Sequence, residues 1–167
     1  MNKKIDRNYL EIYSLNDLVE PNNFSDELKI ELIDPPNFQL NKFFYKKVGK
    51  DHCWIDRLIW TEKQWIEYTS DKKIKSYILK KKDDLAGYYE LISHQIQNEV
   101  EIAYLGLLEE YQNKKLGSYL LSSAIKNSFL EKPTRVWVHT CSLDHKNALN
   151  NYMSRGMKVF KKETVIV

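Results

Sequence analysis

Apolar residues change their period several times along the second half of the chain, and each change marks a new element. KIKSYILKKKDD (73–84) and LAGYYELISHQ (85–95) alternate apolar and polar side chains around a Lys/Asp-rich turn, which predicts a β-hairpin. NEVEIAYLGLL (98–108) keeps the period of two and predicts a third strand. Over 115–130 the period lengthens, and Leu116, Leu120, Leu121, Ala124, Ile125 and Phe129 fall on one stripe of a helix, with Pro133 beyond it. TRVWVHTCS (134–142) is a buried-type strand, and DHKNALNNYMSRG (144–156) is a helix with Ser142 or Asp144 as its cap and Gly156 as its stop. MKVFKKETVIV (157–167) supplies a last strand.

The first half is more mixed. YLEIYSL (9–15) and LKIELID (28–34) alternate as strands do, and Pro35-Pro36 closes the second. NFQLNKFFYKKVGK (37–50) carries Phe38, Leu40, Phe43, Phe44 and Val48 at helical spacing, with Gly49 suited to a helix end. In TEKQWIEYTS (61–70), Thr61 is the expected N-cap and Gln64 its capping-box partner. The order is strands, two helices, three strands, helix, strand, helix, strand. It predicts one α/β domain over 1–167, with a mixed central sheet, an antiparallel N-terminal half, a parallel βαβ step around 100–140, and flanking helices.

Composition narrows the function classes. With 167 residues, 43% hydrophobic and 29% charged, the chain is long enough for a real core and ordinary for a soluble domain. A net charge of +3 without a basic stripe argues against nucleic acid, and the Lys80–Lys82 run reads as a solvated hairpin turn. No apolar run is long enough to span a bilayer, and MNKKIDRNYLEIY lacks a signal-type apolar segment. Cys53 and Cys141 are isolated, so reduced thiols and a cytoplasmic location are the expectation.

The segment EEYQNKKLGSYLLSSAI (109–125) joins a strand to a helix through a polar turn holding Lys114, Lys115 and Gly117. The first amides of a helix have no partner inside it and sit at the positive end of its dipole, so such a start suits an anion. Gly117 permits close approach of a ligand, and the lysines add charge. The Gly-Lys-Ser/Thr ending of a P-loop is missing, which points away from a magnesium nucleotide.

EEYQNKKLGSYLL resembles the acyl-coenzyme A motif of the GNAT superfamily of N-acetyltransferases, Gln/Arg-x-x-Gly-x-Gly/Ala. Gln112 stands at the first position, Gly117 at the last, and Lys115 where the middle glycine is usual. Leu105-Gly106-Leu107 resembles the end of the family's splayed strand, which pairs with the pantetheine arm. NALNNYMSRGM (147–157) is similar to the family's Asn-Ala-Tyr-Gly-Phe segment, with the alanine directly after Asn147 and Met157 for the phenylalanine. The resemblance covers roughly 73–163 and implies the GNAT fold, acetyl-CoA as cosubstrate, no metal, and direct transfer to an amine in a ternary complex. It implies coenzyme A contacts from Leu105, Leu107, Gln112, Asn113, Lys114, Lys115, Leu116, Gly117, Ser118 and Asn147. A left-handed backbone at Lys115 would cost about 1 kcal/mol, and ordinary helical geometry very little.

Acetyl transfer to an amine needs a base, a donor for the oxyanion and a proton for the thiolate. By resemblance Tyr152 is the acid and the Leu107 N–H the oxyanion donor. Glu101 is the candidate base, with Glu90 on the preceding strand as an equal rival; Glu99 and Glu101 read as well as a solvated strand face. Trp54, Asp56, Arg57 and Trp60 of DHCWIDRLIW (51–60) are candidate acceptor contacts, or equally core tryptophans beside a surface ion pair. His139 joins them at a strand end beside Cys141, Asp144 and His145. These make neither a recognised zinc spacing nor, by themselves, a Cys–His nucleophile. The expected partner is a small-molecule amine, less so a peptide, with no nucleic acid or membrane and with a homodimer left open. The alternative is a non-catalytic coenzyme A-binding or ligand-sensing domain of the same fold.

Overall fold

The computed structural model describes residues 2–22 and 24–167. Among the described residues seven strands are present: β1 (Lys4–Ile12), β2 (Leu28–Leu32), β3 (Ile74–Lys81), β4 (Asp84–His94), β5 (Glu99–Leu107), β6 (Arg135–Cys141) and β7 (Lys158–Ile166). They form one sheet in the order β2-β3-β4-β5-β6-β1-β7, antiparallel throughout except for the parallel pair β5–β6. Four helices join them: α1 (Phe38–Gly49), α2 (Glu62–Ser70), α3 (Leu116–Ser128) and α4 (Ala148–Ser154). The mixed sheet and the βαβ step are those the pattern predicts.

Helices cover both faces of the sheet. Leu116, Leu120, Leu121, Ala124 and Ile125 of α3 bury against Tyr89, Leu91, Ile102, Val136 and Val138. On the other face Phe44 and Val48 of α1 meet Ile78 and Tyr88, with the Phe44 and Tyr88 rings stacked at 4.8 Å. The approach is close. A Cβ on Gly106 would lie 2.2 Å from Val48 Cγ1, and one on Gly49 2.5 Å from Trp54 Cβ. Gly49 therefore serves packing as well as the end of α1.

Two expectations shift. The strand expected over 9–15 runs instead over Lys4–Ile12, and Leu15–Asp17 form a 3-10 turn. It lies between β6 and β7, where Leu10 and Ile12 pair with Val138 and Val136 and add to the α3 core. The helix expected over 144–156 is confined to Ala148–Ser154. Asp144 is not its cap: its Oδ2 accepts from Thr140 Oγ1 at 2.5 Å and from the Cys141 N–H at 2.9 Å, closing the turn after β6. Asn147 precedes α4 without a side-chain cap, and Gly156 ends the unit at φ 102°. Thr61 and Gln64 do form the expected capping box at α2.

Candidate active site

β5 and β6 stay paired only from Glu99–Arg135 to Glu101–Trp137. Beyond that point they part. A cavity of about 1080 Å³ opens between them, lined by 102–107 of β5 and by Val138, His139 and Cys141 of β6. It reaches the start of α3 at one end and the loop after α1 at the other.

A bulge in β5 sets which side chains look into each half. Glu90 pairs with Tyr104 and Leu91 with Ile102, so Ala103 is the extra residue. Strict alternation from Gly106 and Tyr104 would turn Ile102 toward α1 and Glu101 toward α3. The bulge reverses this: Ile102 is buried in the α3 core, and Glu101 faces the α1 side with Trp137 and His139.

At the other end, Lys115 is left-handed (φ 63°, ψ 12°) and is the N-cap of α3, but its side chain makes no capping bond. Asn113 is also left-handed. A left-handed residue leading into a helix turns successive amides toward one point, and without a cap they have no side-chain acceptor. Gln112 Nε2 donates to the Leu107 carbonyl at 3.4 Å, and Ser118 Oγ to the Lys115 carbonyl at 2.9 Å. A Cβ on Gly117 would meet only Asn151 Nδ2 at 3.6 Å and Leu107 Cδ1 at 4.0 Å, so nothing in the chain fills its place. Gln112, Asn113, Lys115, Gly117, Ser118 and Asn147 all line the cavity, as do Leu105 and Leu107. Two of the expected contacts are placed differently. Lys114 points its Nζ over Tyr111, 5.7 Å from the ring centroid, and the Leu116 side chain is buried in the core. Each has only its backbone to offer at the turn.

Tyr152 is buried on α4 and borders the cavity. Burial first, and then the charge of Asp144, push its phenol well above the usual value, so it stays protonated at neutral pH. Cys141 is likewise raised, by burial and then by Asp144, which keeps it a thiol and not an activated nucleophile. Among the described residues no group of three or more His, Cys, Asp or Glu is arranged to hold a metal ion.

The two carboxylates considered as bases differ sharply. Glu90 is fully buried and lies outside the cavity lining. Its oxygens accept from Arg57 at 2.9 and 3.3 Å, from Asn41 Nδ2 at 2.8 Å and from Tyr68 Oη at 3.1 Å. With its lone pairs so engaged, Glu90 is the counterion of Arg57 and not a base facing the cleft. Burial works against the Arg57 charge, but the charge and hydrogen bonds of Glu90, together with the Tyr68 and Tyr104 phenols, outweigh it and hold the guanidinium protonated. Aromatic rings enclose the cation, those of Tyr68 and Tyr104 at 4.0 and 4.2 Å. The surface ion pair expected of Asp56 and Arg57 is instead a buried pair of Arg57 with Glu90, and Arg57 also borders the cavity wall. Trp60 does not reach the cavity lining; it packs on Trp65 at 4.9 Å and on Tyr68 at 5.4 Å.

Glu101 borders the cavity and is held by one bond, from His94 Nε2 to its Oε1 at 3.0 Å. Trp54, Asp56 and His139 also line this end, with Trp54 edge-on to Tyr104 at 4.9 Å. Burial pushes the Tyr104 phenol up to about 12. His139 is exposed to the cleft, yet the cleft walls shield it from bulk water. That desolvation, followed by the Arg7 charge, lowers its pKa.

Sequence reasoning missed several residues that build the surroundings of the cavity. His94 holds Glu101, and Tyr104 becomes visible as a wall residue only once the bulge is known. Asn151 Nδ2 donates to the Gly117 carbonyl at 3.0 Å and ties α4 to the start of α3. His52 Nδ1 lies 3.1 Å from the Leu143 carbonyl, linking the loop after α1 to the loop after β6. Of these, only Asn151 had a sequence signal, being one residue from Tyr152 within the resembling segment.

A model of the acetyltransferase (GNAT) family matches residues 29–157. No curated protein matches the chain in sequence. Among solved structures, a GCN5-related N-acetyltransferase from Sphaerobacter thermophilus superposes with a TM-score of 0.71 at 13% identity, covering 99% of this chain and 51% of its own. One from Kribbella flavida gives 0.67 at 13% identity, with 96% and 56% covered. The chain thus spans little more than half the length of these two. An IAA acetyltransferase from Bacillus cereus gives 0.59 at 20% identity, with 80% and 79% covered. At these identities the likeness is one of fold.

Proposed function

Since the chain belongs to the acetyltransferase (GNAT) family, we propose that it moves an acetyl group from acetyl-CoA to the amine of a small molecule, by direct attack in a ternary complex. The observation that carries this is the cavity passing through the sheet where β5 and β6 part, with uncapped helix amides at one end and aromatic and acidic residues at the other. The coenzyme A diphosphate takes the amides from Asn113 to Ser118, with Lys115 beside it and Lys114 contributing backbone only. The pantetheine arm lies at Leu105 and Leu107 along the β6-facing edge of β5, which is unpaired past Glu101. Asn147 borders the same arm.

The acetyl carbonyl then lies near the Leu107 N–H, which stabilises the developing oxyanion. Tyr152 gives its proton to the departing thiolate; a phenol raised by burial is sure to be protonated when needed. The acceptor enters past Trp54, Asp56 and Tyr104, which suits a cation with an apolar body.

Thermal unfolding with acetyl-CoA, coenzyme A and ATP tests the cofactor reading. Ligand at about a hundred times its Kd stabilises by roughly 2.7 kcal/mol, a rise of roughly 5–10 °C for a chain this size. A rise with both coenzyme A species and none with ATP is expected. Thiol release with a panel of amines then reads transfer; an absence of any shift removes the cofactor.

A second reading is a non-catalytic coenzyme A-binding domain. The observation favouring it is Lys115, left-handed where the family has glycine. If Lys115→Gly raises affinity for coenzyme A and no amine is acetylated by either form, that reading holds.

A further inference from the structure

We propose that the base taking the proton from the attacking amine is His139, and that Glu101, fixed by His94, acts through it by supporting the imidazolium that forms. The inference rests on the acetyltransferase reading above and concerns the residues that serve it.

Position comes first. His139 lies on β6, two residues past the last β5–β6 pair, where the cleft opens. Val136 and Val138 point into the α3 core, so His139 points to the opposite face, the one that also carries Glu101 and Trp137. Its ring is exposed to the cavity and packs on Tyr9 at 5.6 Å.

The chain has four histidines, and the other three are engaged. His52 Nδ1 meets the Leu143 carbonyl, His94 Nε2 meets Glu101, and His145 Nδ1 accepts from the Asn147 N–H. Among the described residues, no hydrogen bond occupies either ring nitrogen of His139. A free nitrogen at the point of reaction is what a general base requires.

The surroundings complete the case. Arg7 from β1, Glu163 from β7, Glu101 from β5 and Asp144 from the turn after β6 act on His139 through their charges, and Tyr9 of β1 packs on its ring. Shielding by the walls and the Arg7 charge favour the neutral ring, which can accept a proton. Glu101, Asp144 and Glu163 favour the charged ring and so steady it after the transfer. Glu101 has its Oε1 committed to His94.

The proton balance is complete. The ammonium of the acceptor gives one proton to the imidazole, and its nitrogen attacks the thioester carbonyl carbon. The C–N bond forms and the C–S bond breaks. Sulfur leaves with the Tyr152 proton, the second nitrogen proton returns through solvent to Tyr152, and the imidazolium releases its proton to solvent. The products are amide, thiol and one proton.

The test uses the full chain and His139→Gln, His139→Gly and Glu101→Gln. Imidazole NMR over pH 4.5–8.5 needs no acceptor, and loss of one signal in His139→Gln assigns that ring. A midpoint below the ordinary imidazole value of about 6.5 is expected, moving lower still in Glu101→Gln. A midpoint above 7 overturns the proposal, because the ring would be charged when the amine arrives.

Acetyl transfer to 2-phenylethylamine and spermidine, with acetyl-CoA hydrolysis as the acceptor-free control, gives the kinetic arm. His139→Gln should lower kcat by 100-fold or more and abolish the acidic limb of the pH profile. Added imidazole should partly rescue His139→Gly. Glu101→Gln should lower kcat less and shift that limb. A His139→Gln rate within threefold of the parent, beside a 100-fold loss in Glu101→Gln, would make Glu101 the base. The acetyl-CoA thermal shift separates failures: its absence in the parent sinks the acetyltransferase reading itself, while its presence with an unaffected His139→Gln sinks only this inference.

Discussion

Glu90 and Glu101 sit on neighbouring strands and face the same side of the sheet, and their surroundings give them opposite uses. Glu90 is closed off by Arg57, Tyr68 and Asn41 beneath α1 and α2. Glu101 lies where β5 and β6 part and keeps a route into the cavity. The number of donors that reach a carboxylate, and whether a helix lies over it, decides between a sealed counterion and a carboxylate that borders the cavity. Neither property is written in the residue type.

The largest expected effect breaks the first of these sites. Arg57→Ala leaves Glu90 buried without its cation, which costs about 3–5 kcal/mol. At roughly 2–4 °C per kcal/mol, a melt should fall by 6 °C or more. Glu101→Gln keeps the shape of a partly exposed side chain and should stay within about 0.5 kcal/mol of the parent. A similar loss in both would erase the distinction.

Tyr152→Phe comes next. Loss of a general acid should lower turnover by roughly 10²–10⁴-fold while leaving the acetyl-CoA thermal shift intact. Unchanged turnover would remove Tyr152 from the reaction. A smaller effect is expected at the turn, where Lys115→Gly relieves a left-handed backbone and should add up to about 1 kcal/mol of stability, seen as a rise of roughly 2–4 °C. A fall would mean that the lysine side chain stabilises the turn.

The smallest effect is on pH. The lowered pKa of His139 means that the folded state favours the neutral ring. Its contribution is present above the unfolded value of about 6.5 and is lost as pH falls through the folded value. The melting temperature of the parent should therefore drop relative to His139→Gln between pH 7 and pH 5. Parallel curves would indicate an unshifted histidine.

What the chain declares by itself is local. Period-two alternation marks β3, β4 and β5, and the Leu116–Ile125 stripe marks α3. Thr61 and Gln64 mark the start of α2, and the Gln112–Gly117 turn marks the uncapped start of α3 at one end of the cavity. These signals need only neighbours within a few residues, so they survive in the sequence. Long-range contact decided the rest. The first strand enters between β6 and β7 because Leu10 and Ile12 complete the core beneath α3. The Ala103 bulge turns Glu101 toward the α1 face, and pairing through space separates Glu90 from Glu101 and, among the described residues, leaves the His139 ring without a hydrogen bond. A strand's partners and a carboxylate's donors come from residues tens of positions away, and no period along the chain encodes them.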